Sequence, residues 1–202
     1  TAGYEEVALR HVTYTNEAGE EKSRLDVREQ FSSNVRPYIW NSVWGWGHED
    51  IGYRLANKGF KTVLGNVTNL YFDLAYDHHP NEPGFYWGGY NNVRKGFEFM
   101  PNNVYASGFE DRNGNPLTAD MMGDWEKLEK KENIIGIQGF LWSETVKGNK
   151  MLEYYLFPKM IGMAHRAWSA EPTWGSIEDM AERKAAIDKD WNVFANSLGK
   201  YQ

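Results

Sequence analysis

Between Arg36 and Leu64 the sequence runs strand, helix, strand with short joints, and that arrangement leaves few ways to fold. Arg36 to Trp44 reads as a strand, with Pro37 near its start, where a missing N–H is tolerated. Gly45-Trp46-Gly47 breaks it. His48 to Lys58 fits a helix, with Ile51, Leu55 and Ala56 on one face and the acids Glu49 and Asp50 in its first turn. Gly59 closes that helix, and Phe60 to Leu64 follows at once as another strand. Strands joined through a helix in this way pair in parallel through a right-handed crossover. The fold class is therefore α/β.

Ile134 to Glu144 adds a second strong signal. Its apolar run, bounded by Asn133 and a polar turn, predicts a buried strand ending in Trp142 and Glu144. Residues two apart on a strand share a face. A dry strand with a ring and a carboxylate at its C-terminal tip is how an α/β barrel presents a site. The plainer reading is a core Trp and a solvated Glu.

The remaining chain carries further expectations. Thr1 to Tyr4 is too short to stand alone, and Thr13 to Gln30 is polar enough to predict an exposed loop. A long loop spans residues 68–133, with a short helix expected around Trp125 to Lys130; loops of that length inside a domain are usually functional. Met151 to Trp168 predicts a helix with a kink or a late start at Pro158, with Leu152, Leu156, Met160, Met163 and Ala167 on its apolar stripe. A final helix over about 176–198 is capped by Ser176, with Asp179 in the capping-box position and Ile177, Met180, Ile187, Trp191 and Phe194 apolar; Gly199 stops it. Nothing divides the 202 residues into two domains.

Charge and composition exclude several function classes. A net charge of −6 without a basic block argues against nucleic acid and anionic membrane as partners. With no cysteine, neither a disulfide framework nor a thiolate metal site is available. No apolar run approaches the roughly 18 residues of a membrane span. Asp77-His78-His79 and His48-Glu49-Asp50 lack the spacing of a metal site, so no metal and no cofactor is expected. Asn66-Val67-Thr68 matches a glycosylation sequon, a pattern short enough to arise by chance. Nine Trp and 12 Tyr are the unusual numbers. Rings with a flat apolar face and a polar handle suit the stacking and bonding of a sugar, and they also suit a large core.

Three segments gather such residues: Trp40 with Trp44 and Trp46; Asn69 to Asp73, where alternation points Tyr71 and Asp73 the same way; and Asn81 to Tyr90, an aromatic turn containing Trp87 whose glycines let a ligand approach the backbone. With Trp142 and Glu144 they would meet on the C-terminal rim of a parallel barrel. From the residues alone, Asp73 and Glu144 are either the two carboxylates of a glycosidase or groups that bind hydroxyls or face water.

Asn66 to Asp73, Asn81 to Gly88 and Leu141-Trp142-Ser143-Glu144, in that order, resemble the family 20 glycoside hydrolases, the β-N-acetylhexosaminidases, with chitobiase-like bacterial members nearest. Tyr154 to Trp168 is similar to that family's last barrel helix, and Thr1 to Glu6 to the end of its fifth strand, where Tyr4 stands in place of the usual Trp. The resemblance implies the second half, strands five to eight plus terminal helices, of a (β/α)8 barrel. It implies an exo-acting, retaining, substrate-assisted hydrolase of oligosaccharides ending in N-acetylglucosamine or N-acetylgalactosamine. The family's Asp-Glu catalytic pair would lie upstream of Thr1, so the isolated chain is expected to be inactive. It is expected to need the N-terminal half of the barrel, or to self-associate. On this resemblance Tyr71 orients the acetamido group. Trp40, Trp87 and Tyr4 enclose its methyl, Trp142 stacks under the sugar, and Asp73 and Glu144 bind hydroxyls. A periplasmic or secreted location and a role in chitin degradation follow from the same likeness. The rival reading is a non-catalytic carbohydrate-binding module.

Overall fold

A computed structural model describes residues 2–28, 34–118 and 125–201. Its framework is the predicted strand–helix–strand unit with parallel strands. Strands β4 (Arg36–Ile39) and β5 (Thr62–Leu64) pair in parallel, Tyr38 opposite Val63 and Ile39 opposite Leu64. Helix α1 (Ile51–Asn57) connects them, and Ile51, Leu55 and Ala56 are wholly buried. The acids Glu49 and Asp50 precede the helix instead of opening it; Glu49 accepts the Gly45 and Trp46 amides at 2.6 and 3.0 Å. At the other end Phe60 N–H donates to Leu55 O and Gly59 N–H to Ala56 O. This doubly bonded cap needs a left-handed residue, and Gly59 supplies it at φ 96°.

Two further strands, β1 (Ala2–Tyr4) and β6 (Ile134–Ile137), complete a four-stranded, wholly parallel sheet in the order β1-β4-β5-β6. β1 is the short opening segment, now paired with Arg36 to Tyr38. β6 is not the buried strand expected from its composition. It is an edge strand among the described residues, with an irregular register beside Thr62 and Val63 that leaves Ile135 45% exposed.

Other expectations need correcting. The expected loop from Thr13 is largely an antiparallel hairpin, β2 (Leu9–Thr15) with β3 (Glu21–Val27), most of whose side chains are exposed. Asn16 closes it, its side-chain oxygen accepting the Ala18 and Glu20 amides. Residues 125–130 are irregular rather than helical: Asn57 and Asp50 side chains take the amides of Glu129, Lys130 and Glu126 that a helix would have turned inward. The long connection does hold two one-turn helices, α2 (Val67–Leu70) and α3 (Lys95–Glu98).

Met151 to Trp168 is two helices, α4 (Asn149–Leu156) and α5 (Lys159–Trp168), broken at a cis Phe157–Pro158 bond. Its buried face is Tyr155, Lys159, Gly162 and Arg166, rather than the apolar stripe, of which Leu152 and Ala167 are exposed. The two cations are tolerated there because they donate to backbone carbonyls: Lys159 to Phe72 and Leu74, Arg166 to Phe97. α6 (Met180–Leu198) starts one turn later than expected, with Asp179 as its cap, accepting Glu182 N–H at 2.8 Å. Ile187 anchors it against Phe97, Met100 and Trp174.

Candidate active site

In a parallel sheet every strand delivers its C-terminal end to one edge. β1 ends at Tyr4, and Trp40 directly follows β4. After β5 the one-turn helix α2 releases the chain into Tyr71-Phe72-Asp73, and after β6 come Phe140, Trp142 and Glu144. Residues 81–90 fold back alongside: Phe85 bridges Leu74, and Ala75 N–H donates to Phe85 O at 2.8 Å. The result is one cavity of about 460 Å³, lined by Tyr4, Glu6, Trp40, Tyr71, Asp73, Phe85, Trp87, Trp142 and Glu144. All seven residues singled out in the sequence line it. Phe85 and Glu6 were missed.

The rings form a continuous wall. Tyr71 is nearly buried, its ring centroid 6.0 Å from Trp87, 6.2 Å from Trp142 and 5.1 Å from Phe140. Trp40 meets Trp87 edge-on at 6.4 Å, and Tyr4 closes the opposite side at 6.2 Å from Trp142. Beneath them Val43, Val67, Tyr71, Leu74 and Phe140 pack as a dry floor. Burial pushes the Tyr71 phenol above its ordinary value, so at neutral pH it is a hydrogen-bond donor. The indoles Trp44 and Trp46 are not part of the wall: Trp44 is core, and Trp46 stands outside against Trp87.

Three carboxylates edge the cavity. Asp73 is 2% exposed and accepts the Trp142 amide at 3.2 Å, which ties the two predicted segments together. Burial raises its pKa, and Glu144 nearby adds to the rise. Glu6 accepts the Trp40 indole N–H at 3.1 Å. Its neighbour Glu5, fully beneath the surface, accepts the Trp40 and Asn41 amides at 2.8 and 3.0 Å. Between them the two acids fix both the backbone and the ring of Trp40. A signal for Glu6 was present: it lies two residues beyond Tyr4.

Among the described residues no three His, Asp or Glu side chains converge to hold a metal ion, and His78 instead packs on Tyr90 at 3.9 Å. The sequon Asn66 is buried at 3% exposure, with Thr68 at 1%.

The profile described as glycosyl hydrolase family 20, catalytic domain, matches residues 16–171. The chain belongs to glycosyl hydrolase family 20. It is 32% identical over 194 residues to a β-hexosaminidase of Vibrio vulnificus, covering 87% of this chain and 22% of that protein. It is 31% identical over 180 residues to an N,N'-diacetylchitobiase of Vibrio harveyi, covering 84% of this chain and 20% of the relative. The family 20 chain thus spans about a fifth of the length of these relatives. Among solved structures it shares its fold with a family 20 exo-β-N-acetylglucosaminidase of Vibrio harveyi in complex with N-acetylglucosamine, at TM-score 0.51 and 22% identity over 80% of this chain and 22% of that one. A Streptomyces plicatus β-hexosaminidase variant in complex with product aligns at TM-score 0.51 and 20% identity, over 81% of this chain and 28% of that one. The family match begins within the hairpin, so β1, with Tyr4 beside the two acids, lies outside it and is placed by its pairing with β4.

Proposed function

We propose that this chain forms the sugar-binding wall of an exo-acting, retaining β-N-acetylhexosaminidase that removes terminal N-acetylglucosamine or N-acetylgalactosamine by substrate-assisted catalysis. The acetamido oxygen of the substrate attacks its own anomeric carbon. Tyr71, a buried phenol that keeps its proton, donates to that oxygen and holds it in line. Trp40, Trp87 and Tyr4 enclose the acetamido methyl. Trp142 stacks on the sugar, and Asp73 and Glu144 accept hydrogen bonds from its hydroxyls. The catalytic Asp-Glu pair, whose Glu is the general acid and whose Asp orients the acetamido group, is supplied by an upstream segment that forms the other half of the barrel. A tethered nucleophile replaces an entropic cost of roughly 7–11 kcal/mol at best, which is what a rigid aromatic box can secure. A periplasmic or secreted location and a part in chitin degradation accompany this reading. Among the described residues no helix is long and apolar enough to cross a membrane.

One observation carries the proposal: seven side chains from five separate segments line one cavity at the carboxyl edge of a parallel sheet. The test is the steady-state kinetics of the full-length gene product on a chromogenic N-acetylglucosaminide and on the matching glucoside, which lacks the acetamido group. The N-acetylated substrate is turned over and the glucoside is not. Tyr71→Phe lowers kcat by about 10²–10³-fold, as the loss of one preorganised donor does elsewhere. Trp142→Ala raises KM by about tenfold or more, because a large apolar contact is lost. Equal turnover of the two glycosides sinks the reading; sugar binding without any turnover identifies a binding module instead.

A further inference from the structure

Lys159 is the first residue of α5 and is 1% exposed, yet among the described residues no carboxylate lies within ion-pair distance of it. Its Nζ donates to Phe72 O at 2.9 Å and to Leu74 O at 2.7 Å, the two carbonyls on either side of Asp73. The ammonium also sits 3.8 Å from the centroid of the Tyr76 ring, with Tyr155 5.8 Å away. Burial lowers its pKa to about 7, against a rise from Glu82 and Asp73, so this cation is a burden on the fold. An apolar side chain in that place would escape the desolvation cost and could not donate to the carbonyls.

The segment it holds is the one that presents Tyr71 and Asp73. Residues 71–75 turn beside the cavity, Leu74 N–H donating to Tyr71 O at 3.4 Å, and pair only through single-residue bridges of Tyr71 with Phe140 and of Leu74 with Phe85. Phe72 N–H donates to Phe140 O at 2.7 Å, Asn91 donates to Tyr71 O at 2.8 Å, and Ala75 N–H donates to Phe85 O. Among the described residues Lys159 is the one side chain that donates to both carbonyls flanking Asp73. We infer that Lys159 is a positioning residue: its buried amino group, bonded to the carbonyls on either side of Asp73, holds this turn and fixes the direction in which Tyr71 and Asp73 enter the sugar cavity. The inference rests on the reading that those two side chains meet the substrate.

The experiment is a double-mutant cycle in the full-length gene product, with Lys159→Met, Asp73→Asn and the pair, read by KM and kcat on a fluorogenic N-acetylglucosaminide and by thermal midpoint. Lys159→Met is expected to raise KM and lower kcat together, with kcat/KM down about 10²-fold, the scale of an ångström-sized misplacement. In the Asp73→Asn background its effect on KM shrinks, because the carboxylate it aims is already gone. Lys159→Arg, which keeps the donors, recovers most of the loss. A merely structural lysine lowers the amount of active enzyme and leaves KM alone. Where Lys159→Met does not fold, Lys159→Gln, which retains amide donors, replaces it in the same cycle. Wild-type KM in the folded Lys159 variants, or full additivity with Asp73→Asn, overturns the inference while leaving the site reading intact. Wild-type kinetics in Asp73→Asn and Tyr71→Phe overturn the site reading, and the inference with it.

Discussion

Glu5 places a carboxylate under the turn that carries Trp40, and its two oxygens accept two main-chain amides. Those bonds favour the charged form, but burial outweighs them and pushes the pKa from 4.5 to about 7. The sign follows from proton uptake. Between about 4.5 and 7 the folded state binds a proton that the unfolded chain has released, so this contribution is fully present below 4.5 and is lost as pH rises through 7. A rise from 4.5 to about 7 limits this contribution to at most roughly 3.4 kcal/mol. Glu5→Gln removes this titration. It also turns an amide NH₂ toward one of the two backbone donors, costing about 1–3 kcal/mol at every pH. The measurement is the thermal midpoint of the wild type and the variant between pH 4.5 and 8. The gap between them should be widest at the acid end and narrow as pH rises; a constant gap sinks the assignment. Glu5 was invisible as a functional residue in the sequence because its role depends on the Trp40 turn, 35 positions away.

At the scale of elements, the loop of residues 81–90 holds its place by lying against the Asp73 segment. Gly84 sits at φ 110°, and a Cβ there would fall 2.7 Å from Asp73 O and 2.9 Å from Ala75 N, both backbone atoms that cannot swing aside. Gly84→Ala therefore combines a strained backbone with a clash, and a loss of about 1–3 kcal/mol is expected. Because the atom it strikes belongs to Asp73, the variant also raises KM for an N-acetylglucosaminide; an unchanged thermal midpoint and KM would refute this. The glycine and the neighbouring rings were legible as an aromatic turn. Phe85 was not picked out, although alternation gave the clue: Phe85 and Trp87 line the cavity while Tyr86 between them is 66% exposed. Legibility failed elsewhere for one physical reason, the reliance of sequence reading on apolar periodicity. The hairpin of β2 and β3 is exposed on most of its surface, so it carries no alternation to detect. The buried face of α5 includes Lys159 and Arg166, which look like solvent-facing residues until the carbonyls they bind are known. β4, α1 and β5 were readable because a dry helix face and short joints determine them locally. β6 was recognised as a strand, but whether an edge is covered is not written in the strand itself.

Across the whole molecule, the parallel sheet has two outer strands, β1 and β6, each paired on one side only among the described residues. Four strands spaced about 4.8 Å apart put those outer strands roughly 14 Å from one another across the sheet. Yet Tyr4, at the end of β1, lies 6.1 Å from Phe140 and 6.2 Å from Trp142, which follow β6. Side chains reaching toward each other from both edges over a shared cavity suit a sheet curved as part of a closed barrel, and the half-barrel proposal uses that curvature. An unpaired edge is a template for another strand, and closure is what removes it. Tyr4, Ile135 and Trp142, each more than a third exposed, add an apolar component along those edges. The isolated 202-residue chain is therefore expected to self-associate in sedimentation velocity. On the proposed mechanism, whose general acid comes from another segment, it is also expected to show no turnover of an N-acetylglucosaminide, since losing a general acid alone costs typically about 10²–10⁴-fold. Supplying the upstream half as a separate polypeptide should shift the chain from large species to a one-to-one complex and restore hydrolysis, because one added body would cover both edges and bring the acid. A compact monomer that hydrolyses the substrate unaided would show that the pocket needs no second half, and that Glu6, Asp73 or Glu144 serves as the acid.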